Sequence, residues 1–388
     1  MIKLRENGAG HWVLRIAAVV LLLAVVWWIP HNSETARVSQ LADAFALIIA
    51  AMSLNLVFGY TGLISIGHSA FFGIGGYTTA ILVKDHGWSP GWTFYAAAVI
   101  AFVVGCIVAL PALRIKGIYL ALVTLAVAVL FPQLMKWKKL AWLTEGARGI
   151  DSIRYEEIPT WPIIGELKGR EGRAEFAYWL AFVVLVICYF VCRGIVKSRV
   201  GRSLIAIRDN ETAAAVMGVN LAATKTLVFG VSAAMTALAG SLATLRTGVI
   251  TPDDRYVTLI GSIIFFLVMV IGGAGSLWGP VLGGLLYIWL DEVTRSAGAS
   301  GEGVVGSTID FFFGWADQSP AMFILAVGLI ALMFVAPYGL LGLLKRLSRR
   351  FVVVVPTPVG APPSVLAAQP PPVQVSQLST KDSQGEIE

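Results

Sequence analysis

Charge is scarce in this chain: Asp, Glu, Lys and Arg make up 13% of its 388 residues, about half of the share usual in soluble domains. A mainly water-facing protein is thereby excluded. Cysteine is nearly absent, and Cys106, Cys188 and Cys192 all lie inside apolar runs, which rules out a disulfide framework or a thiolate metal cluster. The four histidines, His11, His31, His68 and His86, are scattered, and neither His-Glu-x-x-His nor Cys-x-x-Cys occurs. No Gly-Lys dipeptide is present, so there is no Walker-type phosphate loop and the chain is not expected to hydrolyse ATP itself. The middles of the apolar runs lack Asp, Glu, Lys and Arg almost completely, which argues against a carrier or channel driven by protons or sodium and acting alone. Asp43 and Lys225 stand near run ends and read as interfacial or snorkelling side chains.

What is abundant is apolar: 57% of the residues are hydrophobic, clustered in runs near the ~20 residues that cross a hydrocarbon core as a helix. The expected fold is an all-α polytopic membrane protein of about ten transmembrane helices. The expected spans are 12–29, 41–58, 63–83, 93–112, 117–135, 175–193, 223–245, 257–273, 277–291 and 320–338. The short segment 277–291 is a candidate re-entrant or broken helix. Lys3, Arg5 and Arg15 precede the first run with no small-x-small cleavage site after it, so an uncleaved first span is expected. Residues 1–40 then form that helix and a short external loop, 41–345 a transmembrane domain, and 346–388, rich in Val, Pro, Gln and Ser, a disordered cytoplasmic tail.

The net charge of +6 is spread between the runs rather than on one face, which points to membrane orientation and not to nucleic acid. Arg114 with Lys116, Arg193 through Arg208, and Lys345 through Arg350 define the cytoplasmic side. Asp253, Asp254 and the loop 291–317 fall outside. Loop 136–174 is expected outside as well, although it begins with Lys136, Lys138 and Lys139.

Two stretches hold polar or conformationally special residues. One, Leu56 to Tyr77, carries Gly59, Gly62, Gly67, Gly73, Gly75 and Gly76 with Ser65, His68 and Ser69. Close helix packing and an unwound segment beside a pathway both call for such glycines, and a lone buried histidine is commonly a neutral hydrogen-bond partner. A second glycine cluster, Gly272 to Pro280, echoes it loosely. The other stretch is the basic loop 197–221, expected to form two short helices, about 203–208 and 211–217, hinged at Asp209 and Asn210, with Gly218 closing the second. Such helices fit either an interfacial segment with Arg199, Arg202 and Arg208 on anionic lipid headgroups or a socket helix for a partner protein.

In this loop the wording Gly201-Arg-Ser-Leu-Ile-Ala-Ile-Arg-Asp-Asn-Glu211 and Glu211-Thr-Ala-Ala-Ala-Val-Met-Gly218 resembles the permeases of ABC importers, specifically the high-affinity branched-chain amino-acid family. There a cytoplasmic helix carrying Glu-Ala-Ala, with a glycine four residues past the last alanine, inserts into the ATPase; here Ala214 and Gly218 keep that spacing and Thr212 intervenes. The likeness extends over roughly 41–337. It takes in Asn55 through Tyr77, Gly117 through Ala126, Val270 through Pro280, and Leu143-Thr-Glu-Gly-Ala-Arg-Gly-Ile150, where Glu145 replaces a usual glycine.

The resemblance implies an ABC importer permease fold in a bacterial plasma membrane. It implies one or two ATPase subunits, a related second permease, an extracytoplasmic binding protein that delivers leucine, isoleucine or valine, and membrane lipid around the spans. ATP and Mg would sit on the ATPase, with no cofactor on this chain. Arg202, Ser203, Ala206, Arg208, Asp209, Asn210, Glu211, Ala214 and Gly218 would couple to the ATPase. Asn55, Gly62, Ser65, Gly67, His68, Ser69 and Thr124 would line a weakly polar pathway. Urea or short-chain amides are the alternative cargo within the same class of importer.

Overall fold

The computed structural model describes residues 2–5, 24, 26–30, 32–114, 118–151, 153, 169–300 and 339–355. The expected spans 12–29, in most of its length, and 320–338 lie outside them. The chain divides into two units, residues 1–22 with 349–388, and residues 23–348. In the first, β1 (Ile2–Arg5) and β2 (Val352–Val355) form a parallel pair with Ile2 opposite Val352.

The second unit is helical: α1 (Thr35–Val57), α2 (His68–His86), α3 (Pro90–Arg114), α4 (Ile118–Met135), α5 (Ala141–Thr144), α6 (Gly169–Lys197), α7 (Arg199–Asp209), α8 (Glu211–Val216), α9 (Leu221–Thr247), α10 (Leu259–Gly272) and α11 (Gly279–Ser300). A further helix, α12 (Gly339–Phe351), runs past the expected tail boundary at 346. Four helices are long and apolar enough to cross a membrane, or five if α4 and the 62° turn after it count as one span. The chain is thus a multi-pass membrane protein whose described residues do not establish ten spans. The short member of the hairpin is α10, with 14 residues, whereas the expected short span belongs to α11, with 22.

Small residues explain the architecture. The central helix α9 packs against α1, α2 and α3. A Cβ placed on Gly75 would stand 1.9 Å from the Ala237 carbonyl oxygen, and one on Gly240 would stand 1.9 Å from that of Phe72. Glycine at both positions lets the α2 and α9 backbones touch, which supplies packing where lipid gives no hydrophobic force between helices. Hydroxyls then tie the helices together. Ser53 and Thr236 are 2.6 Å apart, and Ser232 donates to the Ser53 carbonyl at 2.7 Å. Outward faces stay apolar, with Val103, Ile107 and Leu130 more than half exposed, as lipid contact requires.

The two ends of this bundle are distinct. α9 starts beside α8 and its 27 residues carry it about 40 Å to the opposite end. There the loop after α4 joins the segment after α9: Lys136 bonds Asp253 at 2.6 Å, and Ile150 and Ile250 form an antiparallel bridge. The lysine-rich start of loop 136–174 therefore lies on the side of Asp253, remote from α7 and α8, as the topology requires. Lys136 has its acidic partner there in Asp253, and the loop's Glu145 pairs with Lys84 of α2. Glu145 has φ +55°, alone in positive φ among described non-glycine residues. This is the position where the resembled motif has glycine, the residue that adopts such a conformation without steric cost.

Candidate coupling site

The basic loop folds as two short helices, each held by side-chain caps. Ser198 caps α7, its Oγ accepting from the amides of Val200 at 3.1 Å and Gly201 at 3.5 Å. This cap sets the start of α7 four residues earlier than the expected 203. The caps satisfy amides that have no partner within the helix. Gly201, Leu204 and Ile207 are buried, three residues apart on one face, and Arg202 and Asp209 are exposed. Ser203 donates back to the Arg199 carbonyl at 3.2 Å, and the Ala206 carbonyl receives the Asn210 amide at 3.0 Å.

Asn210 is the hinge. Its extended backbone ends α7, and its Oδ1 accepts from the Ala213 amide at 3.0 Å to start α8. Asp209 belongs to α7. Gly218, at φ +83°, ends the second helix in the left-handed conformation, and the Val219 amide bonds back to the Ala214 carbonyl at 3.0 Å, a glycine-type helix stop. Asn220 then caps α9.

Two contacts fasten this unit to the membrane helices. Lys225, read from sequence as snorkelling, has only 2% of its side chain exposed and bonds Glu211 at 2.7 Å. It sits one turn into an apolar helix, and the Glu211 carboxylate, itself 24% exposed, supplies the countercharge that a buried ammonium needs. Glu211 thus faces α9 instead of projecting outward. The second contact is Arg208, whose Nη1 donates to the Gly59 carbonyl at 3.1 Å, while Nε and Nη2 reach Asp209. A Cβ on Gly62 would lie 3.0 Å from Arg208 Cγ.

From Gly59 the connection continues into the second glycine cluster. Asn55 accepts from the Gly275 amide at 2.8 Å and donates to the Ser276 carbonyl at 2.9 Å. Arg208, the turn after α1 and the turn between α10 and α11 form one contiguous set. Sequence gave no sign of the Asn55–Gly275 contact, because the partners are 220 residues apart.

The residues expected to line a pathway are brought together, but as bonds between helices. Ser65 and His68 Nδ1 are 3.0 Å apart, and His68 Nε2 lies 2.7 Å from Ser232. Ser262 donates to Ser69 at 2.9 Å, and Thr124 accepts from the Ile66 amide at 3.0 Å. Gly67 lets its backbone approach that of Thr124. Asn55, Ser65, His68, Ser69 and Thr124 are at most 1% exposed. In this conformation they are consumed by packing.

Past the caps, α8 ends in a bare apolar tip: Val216 is 82% and Met217 83% exposed. Two large apolar side chains thus stand exposed on an anchored basic element.

Comparison with known proteins shows the family. The family model described as "Branched-chain amino acid transport system / permease component" matches residues 36–333. The high-affinity branched-chain amino acid transport system permease protein LivM of Escherichia coli (strain K12) is 28% identical over 316 residues, covering 77% of this chain and 72% of the relative. LivH of the same strain is 26% identical over 276 residues, covering 68% and 85%. A xylose transport system permease protein of Haemophilus influenzae, XylH, is 30% identical over only 119 residues, 29% of this chain and 32% of the relative. No solved structure matches the chain significantly.

Proposed function

The chain belongs to the permease-component family of branched-chain amino acid transport systems, and from that premise we propose that it is the membrane subunit through which an ATP-driven importer moves leucine, isoleucine and valine across the plasma membrane. The exposed Val216 and Met217 tip, on helices fixed by Lys225 and Arg208, carries this reading. Such a tip is what an ATPase groove would receive. The complete importer would contain one or two ATPase subunits, which hold ATP and Mg, a second related permease, and a binding protein that supplies the substrate.

Closure of the ATPase would displace α7 and α8 as a unit. Arg208 would transmit that movement to the Gly59 turn, and Asn55 would pass it to Gly275 and Ser276. The two glycine turns are suited to the task, because Gly62 and Gly275 adopt positive φ and absorb backbone rotation at little cost. Buried Ser, Thr and His hydroxyl and imidazole bonds would exchange partners as the helices shift.

The test is uptake into proteoliposomes. The four-component complex should accumulate leucine only with ATP, and this chain alone should pass none. Flux through the chain alone would establish a carrier or channel instead. ATP-dependent uptake of urea or short amides with no uptake of leucine would replace the cargo. Gly218→Trp, which strains the α8 stop at φ +83° and projects a bulky ring from it, should leave the complex assembled and abolish the stimulation of ATP hydrolysis by the loaded binding protein.

A further inference from the structure

At the end of the bundle remote from α7 and α8 lies a cavity of about 300 Å³ between the first half of α1 and Phe72 of α2 on one side and residues 243–257 and α11 on the other. Its volume is at the lower end of small-molecule pockets. Its charged lining is unbalanced: four carboxylates, Asp43, Asp254, Asp291 and Glu292, face two guanidinium groups, Arg246 and Arg255. Asp43 is paired with Arg246. Asp254 accepts from the Tyr256 amide at 2.8 Å and Glu292 from Gln40 Nε2 at 2.7 Å, and neither has a cationic partner among the described residues.

Arg255 is poised differently. Its guanidinium lies against the rings of Tyr256 and Tyr287, 5.4 and 5.8 Å from their centroids, which fixes its plane. Its Nη2 donates to the Tyr287 hydroxyl, and its Nη2 and Nη1 meet Asp291 Oδ1 at 3.4 and 3.5 Å. That is looser than the about 2.7–2.9 Å of a well-formed charge-assisted bond. Its Nε–H is buried with no hydrogen-bond partner. Phe72, Ile250 and Ile288 provide an apolar wall.

A cation held flat between two tyrosine rings and only loosely bonded to Asp291, carboxylates without a countercharge, and an apolar wall within one small cavity match the three parts of one ligand class. We propose that this cavity binds a free aliphatic α-amino acid as the zwitterion, with its carboxylate on Arg255, its ammonium on Glu292 and Asp254, and its side chain against Ile250 and Ile288. The permease would then itself hold the substrate at the end where a binding protein releases it, and would select for both charged groups. This deepens the transport reading above and rests on it.

The experiment is competition for radiolabelled leucine on the detergent-purified permease–ATPase complex without its binding protein. Leucine should compete at least about tenfold better than isoamylamine, which lacks the carboxylate, or isocaproate, which lacks the ammonium. Arg255→Gln should erase the preference over isoamylamine, and Glu292→Gln, at an exposed position, should narrow the preference over isocaproate. A merely structural arginine would weaken all ligands alike and keep the preference. Retained preference in Arg255→Gln, or equal competition by all three compounds on the wild-type complex, overturns the site. A full complex that pumps leucine while its core binds none overturns the site alone. A full complex that pumps none of the three branched-chain amino acids overturns the transport reading and the site with it.

Discussion

Single residues decide how firmly the docking helices follow the membrane. Lys225 is the most constrained, since its ammonium is buried and meets Glu211 at 2.7 Å. Removing one member of a buried pair leaves the other charge without a partner, a loss of about 3 kcal/mol or more. Glu211→Gln should therefore lower the thermal stability of the purified complex and reduce stimulated ATP hydrolysis. The charge exchange Glu211→Lys with Lys225→Glu should recover part of both. Equal stability of Glu211→Gln and wild type by thermal denaturation would show that the pair is immaterial. The same residue shows the limit of motif reading: the family-like Glu suggests an outward contact with the ATPase, and the fold turns it toward α9. Its position in the motif was plain, and its partner was not.

For pairs of elements, the determining feature is backbone approach. The α2–α9 contact leaves no volume for a side chain at Gly75 or Gly240, so a Cβ there must push the helices apart. Gly240→Val should cost about 1–3 kcal/mol, as overpacking of a fixed core does, and should reduce the yield of folded complex in detergent. Gly91→Ala, where a new Cβ meets nothing within 4 Å, should be silent in the same size-exclusion assay. Glycine spacing in the sequence allowed both close packing and a broken pathway helix. The coordinates favour packing for Gly75, with a hinge-like turn at Gly62 and Gly275, where φ is positive.

Across the whole molecule the two ends carry different tasks. One presents the apolar tip of α8, and the other holds the charged cavity and the Lys136–Asp253 contact. Arg148, with 78% of its side chain exposed, and Met217, 83% exposed, should accordingly face opposite compartments. With Arg148→Cys and Met217→Cys in separate variants, a membrane-impermeant thiol reagent added to intact cells should label only the first. Labelling of both, or of Met217→Cys alone, would reverse this topology.

Hydropathy, charge placement and caps were decisive without any coordinates, because each acts over a few neighbouring residues. They gave the membrane class, the helical segments α1 to α4, α6 and α9 with ends up to six residues off, and the two-helix loop with its Asn210 junction, but not the short α5. What folding alone decided is the set of contacts between distant parts of the chain. Arg208 meets Gly59 across 149 residues, and Gln40 meets Glu292 across 252. A carboxylate or guanidinium near the end of an apolar run looks the same in sequence whether it snorkels to a headgroup or faces a cavity. Only the packing of α1, α11 and the segment after α9 gathers Asp43, Arg255 and Glu292 around one space.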